Sequence, residues 1–236
     1  MKITKVIINN FRLLKNMEID LEEDLSLIIG KNNCGKTSVL SALSKFFGEQ
    51  KAAISFNYDD FNIDFQKELF KCIENQGQGW EKQKIQGIEI YIFIQYTDAD
   101  NLANISSLML DLDPDNKVVV LKAEYTLDDS GIFVLADAFE KYYERFKNDK
   151  RNKLSKIECY NKFMHTKLKK FFKLVYKAIL FDKNKGNICP DVFRIIDKRK
   201  IDLNKIISIK FIAAKRETMN KDSDDTLSNL SIKYYE

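Results

Sequence analysis

Glycine and proline are scarce: the 236 residues hold eight and two of them. So few breakers exclude a collagen-like or low-complexity chain and leave long stretches free for helices and strands. Cys34, Cys72, Cys159 and Cys189 are scattered without a paired spacing, which argues against a disulfide framework or a zinc site and for reduced thiols. No apolar run approaches the roughly 20 residues of a membrane span. The N-terminus opens into a strand-like alternation, not a cleavable signal. These absences lead to the expectation of a soluble, cytoplasmic protein without a membrane partner.

The residues present fit a folded chain. Hydrophobic residues make up 44% and aromatics 12% of the sequence, enough to build a sizeable core in one large domain or in one domain carrying an insertion. The formal charge of +4 is small, but lysine is concentrated between Lys141 and Lys183. Strands are expected at Ile3–Ile8, Met17–Leu21 and Leu25–Ile29, the last an apolar run suited to burial on both faces. Lys36–Phe47 carries Val39, Leu40, Leu43, Phe46 and Phe47 at helical spacing. Phe65–Ile73 reads as helix and Ile85–Tyr96 and Val118–Leu127 as strands, with a further short strand at Ile132–Leu135. Helix is expected from Ala136 to about Lys183, broken once or twice, with Leu168, Phe171, Phe172, Val175 and Ile179 on one face. Ile206–Ala213 reads as a returning strand. The partition is a core with a β layer over 1–135, a lysine-rich helical insertion over 136–200, and a return to the core sheet with a polar end over 201–236.

Between the Leu25–Ile29 run and the first helix, Gly30, Lys31, Asn32, Asn33, Cys34, Gly35, Lys36 and Thr37 match G-x-x-x-x-G-K-[ST] in full. A triphosphate needs several donors converging on one point. A loop that turns its N–H groups inward supplies them, and Gly30 and Gly35 permit the dihedrals and the close approach. Lys36 adds a point charge toward the β and γ phosphates. Thr37 offers a hydroxyl to Mg2+, and the helix N-terminus adds partial positive charge. Such a match arises by chance in about one chain of this length in a hundred. The strand-loop-helix context is the one that gives the motif meaning. The expectation is binding of a nucleoside triphosphate, ATP, with Mg2+; Cys34 contributes backbone only.

The opening Ile7-Ile8-Asn9-Asn10-Phe11-Arg12, followed by Leu25-Ser26-Leu27-Ile28-Ile29 and the loop through Ser38, resembles the start of ABC-type ATPases of the SMC and recombination class. Within that class the chain is most similar to the OLD (overcoming lysogenisation defect) family, which includes antiphage defence ATPases. Two looser patterns carry this: Asp59-Asp60-Phe61-Asn62 after the first helix, and Phe211-Ile212-Ala213-Ala214-Lys215-Arg216-Glu217 late in the chain. The resemblance implies an α/β P-loop lobe with an added mixed or antiparallel β layer and a helical insertion. It implies that Arg12 reaches the nucleotide, that Ser38 helps hold the α phosphate, and that Asp60 stands near the magnesium. It also implies a homodimer through the nucleotide-binding lobe, DNA as a partner, and a nuclease domain or subunit as effector.

Other parts of that class are missing. No paired-glycine signature occurs, and Asp-Glu is absent as a dipeptide. Ala178-Ile179-Leu180-Phe181-Asp182 has the apolar-run-then-aspartate shape but falls in the helical pattern and reads as core packing. His165 reads as a surface or packing residue, not a γ-phosphate sensor. The economical expectation is the N-terminal lobe of a longer ATPase, with no catalytic residue assigned in this chain and slow or absent hydrolysis. Asp111-Leu112-Asp113-Pro114-Asp115 reads as a turn, not a metal loop. The lysines at 150, 153, 156, 167, 169, 170, 173 and 177, with Arg151, leave two readings open, a nucleic-acid surface and a solvated helix face. Two other functions stay open as well, a non-catalytic ATP-switched dimerisation or DNA-binding module and a stand-alone P-loop kinase.

Overall fold

The computed structural model describes residues 1–31, 34–48, 55–78, 87–111, 113–127, 130–147, 154–197 and 206–207. The first strand, β1 (Lys2–Phe11), turns through Arg12 and Leu13 into β2 (Leu14–Asp20). After the glycine-bounded loop come α1 (Lys36–Phe47), a short 3-10 turn at Tyr58–Asp60, and α2 (Ile63–Glu74). The chain continues as β3 (Gly87–Gln95), β4 (Val118–Thr126), α3 (Gly131–Lys147), α4 (Lys156–Phe171), β5 (Lys173–Asp182) and β6 (Asn187–Ile196). The strands form one sheet in the order β2-β1-β3-β4-β5-β6. Every neighbouring pair in it is antiparallel.

Alternation along β3 sets the two faces. Ile88, Ile90, Ile92 and Ile94 point into the main core, together with Ile8 of β1 and Leu121 and Ala123 of β4. The helices cover this face. Phe65, Leu69 and Ile73 recur every fourth residue on α2, and Ile132, Leu135, Ala136 and Phe139 form the buried stripe of α3. Full burial of each such side chain stabilises by about 1.5–3 kcal/mol, so an aspartate at Ile90 would break the centre of the sheet. The opposite face carries Tyr91, Phe93, Val120 and Ile179, and beside them a charged group. In that group Lys122 pairs with Glu89 and Glu124 at 2.7 Å each, and Lys177 pairs with Glu124 at 2.5 Å.

Local signals account for the helix ends. Asn62 caps α2 by accepting from the Asp64 N–H at 3.0 Å. Ser155 and Glu158 form a reciprocal capping box at the start of α4, with the Glu158 carboxylate accepting the Ser155 N–H at 2.8 Å. The α4 helix stops at Phe172, whose backbone is extended while its N–H still reaches the Leu168 carbonyl at 3.1 Å.

Three expectations are corrected. Residues 25–29 form no strand in this sheet, and Leu25, Leu27 and Ile29 are 76–81% exposed. An apolar run needs partners on both edges and faces to become a buried strand, and no described element supplies them. The Ile132–Leu135 strand is instead the first turn of α3, where Ile132 and Leu135 face the core and Phe133 and Val134 face out. The helix expected through Lys183 ends at Phe171, because residues 173–179 pair with β4 in the register Val120 to Ile179 and the strand runs on to Asp182 beside β6. Ala178–Asp182 therefore lies on a strand. The region 136–200 thus contributes β5 and β6 to the same sheet as β3 and β4. The expected strand at Ile206–Ala213 and the Phe211–Glu217 pattern lie outside the described residues, apart from Ile206 and the buried Ile207.

Candidate functional site

The glycine-bounded loop enters α1 at Gly35, beside Leu14 of the β1–β2 hairpin. Gly35 takes a left-handed backbone at φ 95, and a Cβ there would stand 2.8 Å from Leu14 Cδ2. The positive φ favours glycine for the turn, and any side chain there would also have to displace the end of Leu14. Gly30 sits as tightly, because a Cβ on it would fall 2.6 Å from Cys34 Sγ. The chain then enters α1 at Lys36 with no acidic residue in the first turn and no side-chain cap. The N–H groups of that turn have no intrahelical acceptor, so the helix presents donors and the positive end of its dipole to an anion.

Lys36 is placed over this loop. Its ammonium donates to the carbonyls of Gly30 and of Lys31, the latter at 2.7 Å, and lies 3.7 Å from Cys34 Sγ. Thr37 lies in the first turn, where Ser38 is 8% exposed and faces inward. Asn32 and Asn33 lie outside the described residues.

Arg12 is the first residue of the hairpin turn and has a positive φ of 52. Its guanidinium donates to Asp60 Oδ1 from Nε at 3.1 Å and from Nη2 at 2.9 Å. Asp60 Oδ2 accepts the Asn57 N–H at 2.9 Å and pairs with Lys45 of α1 at 3.0 Å. The Asp60 side chain is 3% exposed, and both oxygens are engaged by protein groups. The structure therefore brings Arg12 and Asp60 together directly, and joins both to α1 through Lys45. Composition and motif reading did not single out Lys45. The Asn57-x-x-Asp60 spacing, a capping-box pattern, was the available signal for a turn there.

The sequence profile of the AAA ATPase domain matches residues 1–236. The chain belongs to the AAA ATPase domain family. The ATPase domain is 28% identical over 124 residues to the endonuclease GajA of Bacillus cereus strain HuB5-5, which covers 50% of this chain and 18% of that protein. It is 27% identical over 212 residues to the uncharacterized protein MJECL44 of Methanocaldococcus jannaschii, covering 80% and 56% of the two chains. It is 42% identical over 43 residues to the DNA replication and repair protein RecF of Actinobacillus pleuropneumoniae serotype 5b, covering 18% and 12%. The chain thus spans less than two thirds of the length of each of these relatives.

Two other features complete the picture of the ATPase domain. His165 is exposed on α4, meets Tyr58 edge-on at 5.5 Å and lies 3.5 Å from Asp59. Asp111 and Asp113 bond within their own loop, to Asn116 Nδ2 at 2.8 Å and to the Asp115 N–H at 2.9 Å. Among the described residues no helix is long and apolar enough to cross a membrane.

Proposed function

We propose that this ATPase domain binds ATP with Mg2+ through residues 30–38 and, as an OLD-type lobe, gates a DNA-processing or antiphage defence effector. The observation that carries the nucleotide reading is the left-handed Gly35, through which the loop enters an uncapped α1, with the Lys36 ammonium folded over the Gly30 and Lys31 carbonyls of the same loop. Lys36 donates there to neutral carbonyls. Exchanging them for phosphate oxygens replaces neutral acceptors by charged ones, and charge-assisted bonds are about twice as strong. The backbone N–H groups from Cys34 to Thr37 cradle the phosphates, Thr37 supplies a hydroxyl ligand to Mg2+, and Ser38 stands next in line toward the α phosphate. Arg12 adds a cation from the hairpin side. Asp60, with both oxygens bonded to protein groups, is assigned to holding Arg12 in place of the metal.

The effector reading rests on similarity to an endonuclease and to a DNA repair protein. On that reading the domain pairs with a second copy through its nucleotide face and works beside a nuclease domain or subunit. The exposed lysines of α4, Lys162, Lys169 and Lys170, offer a surface for nucleic-acid phosphates.

Calorimetric titration of the 236-residue chain with ATP tests the nucleotide reading. Saturable, Mg2+-dependent binding is expected. Lys36→Ala should weaken it at least tenfold, since a charge-assisted contact is worth about 1.5–3 kcal/mol. Equal affinity in wild type and Lys36→Ala would remove the basis of the proposal. The chain alone should show no sustained hydrolysis, and steady turnover lost in Lys36→Ala would refute that part.

A further inference from the structure

Asp60 lies where three elements meet. Its carboxylate grips the Arg12 guanidinium on the β1–β2 turn at two points, and it pairs with Lys45 further along the helix that begins at the phosphate loop. Main-chain bonds repeat the connection: the Arg12 N–H donates to the Asp60 carbonyl at 2.8 Å, and the Asn62 N–H donates to the Asn10 carbonyl at 2.9 Å. Asn62 Nδ2 also donates to the Arg12 carbonyl at 2.7 Å. These contacts fix a backbone with positive φ at both Asn10 and Arg12, a conformation that non-glycine residues rarely hold without surrounding support.

The charge count gives the cluster a direction. Arg12 and Lys45 bring two positive charges against the single negative charge of Asp60, so the group is net positive. Arg12 is its exposed member, with a side chain 40% accessible against 15% for Lys45 and 3% for Asp60. The guanidinium has five N–H donors. Those on Nε and Nη2 face Asp60, and its Nη1 group has no partner among the described residues. Two residues further on, Leu14 meets Gly35 at the mouth of the phosphate loop. A cation with donors to spare is thus held on the turn whose next strand, through Leu14, touches the phosphate loop at Gly35.

We propose that Asp60 is a positioning residue for nucleotide binding, which orients Arg12 toward the phosphates and locks the hairpin to α1 through Lys45. This rests on the nucleotide reading of residues 30–38. Asp60 touches no ligand itself; it acts by fixing which way the guanidinium presents its outer edge. A carboxylate that merely stabilised the fold would leave affinity for ATP untouched in any variant that still folds.

The test is a double-mutant cycle on ATP binding with Mg2+, read beside thermal unfolding of each variant. Arg12→Gln and Asp60→Asn should each weaken ATP binding about tenfold, as expected when one oriented charge-assisted bond is removed. The double variant should bind no worse than the weaker single one, because both changes remove the same interaction. Arg12→Lys, which keeps the charge but cannot make the two-point grip, should bind like Arg12→Gln. An ATP affinity within twofold of wild type for Asp60→Asn or Arg12→Lys, whatever the unfolding temperature, overturns the proposal, and so do effects that add in the double variant. Should Asp60→Asn fail to fold, Arg12→Lys on the exposed turn decides alone. Failure of the wild type to bind ATP, or binding indifferent to Lys36→Ala, strikes the nucleotide reading and is thereby told apart.

Discussion

Replacing Lys122 by methionine should destabilise the domain by about 3 kcal/mol at neutral pH, the lower end of the cost of breaking a buried ion pair from one side. Lys122 bridges Glu89 and Glu124, which stand opposite each other on β3 and β4, and the three side chains are 13%, 9% and 7% exposed. Methionine fills much the same volume, so the cost comes from two carboxylates left facing one another. Lys177 still holds Glu124, and Asn9 and Tyr91 still donate to Glu89, which keeps the figure at the lower end. For a chain of this size that corresponds to a fall in Tm of about 6–12 °C.

The pH dependence follows from the same contacts. Burial alone would raise the Glu124 pKa, but Lys122 and Lys177 outweigh it and the pKa is lowered. The stabilisation from Glu124 is therefore present above the unfolded carboxylate value of about 4.3 and is lost as pH falls through the folded value. Burial likewise pulls Lys122 down, yet Glu89, Tyr91 and Glu124 raise it overall, so its contribution is intact at neutral pH. The gap between wild type and Lys122→Met, followed by circular dichroism, should be full at pH 7 and narrow below about pH 4.3 as the wild type loses what the variant already lacks. Equal Tm values at pH 7, or a gap that does not change with pH, would show that the cluster is not a buried ion-pair network.

The bare apolar run before the loop makes a contrasting prediction. Leu27 is 76% exposed, so Leu27→Ser should leave Tm within about 2 °C of wild type, as for ordinary surface changes. It should also reduce aggregation seen by light scattering, and a drop of several degrees would mean that the segment is covered in solution. If the α4 lysines meet nucleic acid, duplex binding should weaken steeply with salt. Lys162→Gln with Lys169→Gln and Lys170→Gln should then flatten the slope by about 0.9 for each phosphate no longer neutralised. No binding at low salt would leave α4 as a solvated face.

The glycine-bounded motif of residues 30–37 stands out in the sequence because its residues are consecutive, and α1 begins at the expected Lys36 and ends at the expected Phe47. The two central strands are legible for a related reason, since β3 and β4 carry dense β-branched and aromatic runs with few polar interruptions. The Arg12–Asp60 contact cannot be read this way. Arg12 and Asp60 are 48 positions apart, and no periodicity connects an arginine in a hairpin turn to an aspartate in a 3-10 turn. For residues 25–29 the local signal is strong but the partners it needs are not among the described elements. A strand is a property of pairing, so an apolar run alone does not make one.

The boundary between α4 and β5 shows what scarce glycine and proline cost the reader. Leu168, Phe171, Phe172, Val175 and Ile179 continue a helical spacing straight through it, with no breaker between. Pairing with β4 decides the switch, drawing residues 173–179 into register with 120–126. Phe172 is the hinge of that change. Its ring meets Phe61 at 5.0 Å and Tyr125 at 5.5 Å, and Phe61 directly follows Asp60. The side chain that ends the lysine-bearing helix is therefore packed against the segment that holds Arg12, while His165 on the same helix reaches Asp59. Displacement of the Asp59–Phe61 turn would be felt at both ends of this contact, so the proposed nucleotide site, if it moves that turn through Arg12, would act on α4 through packed aromatic rings.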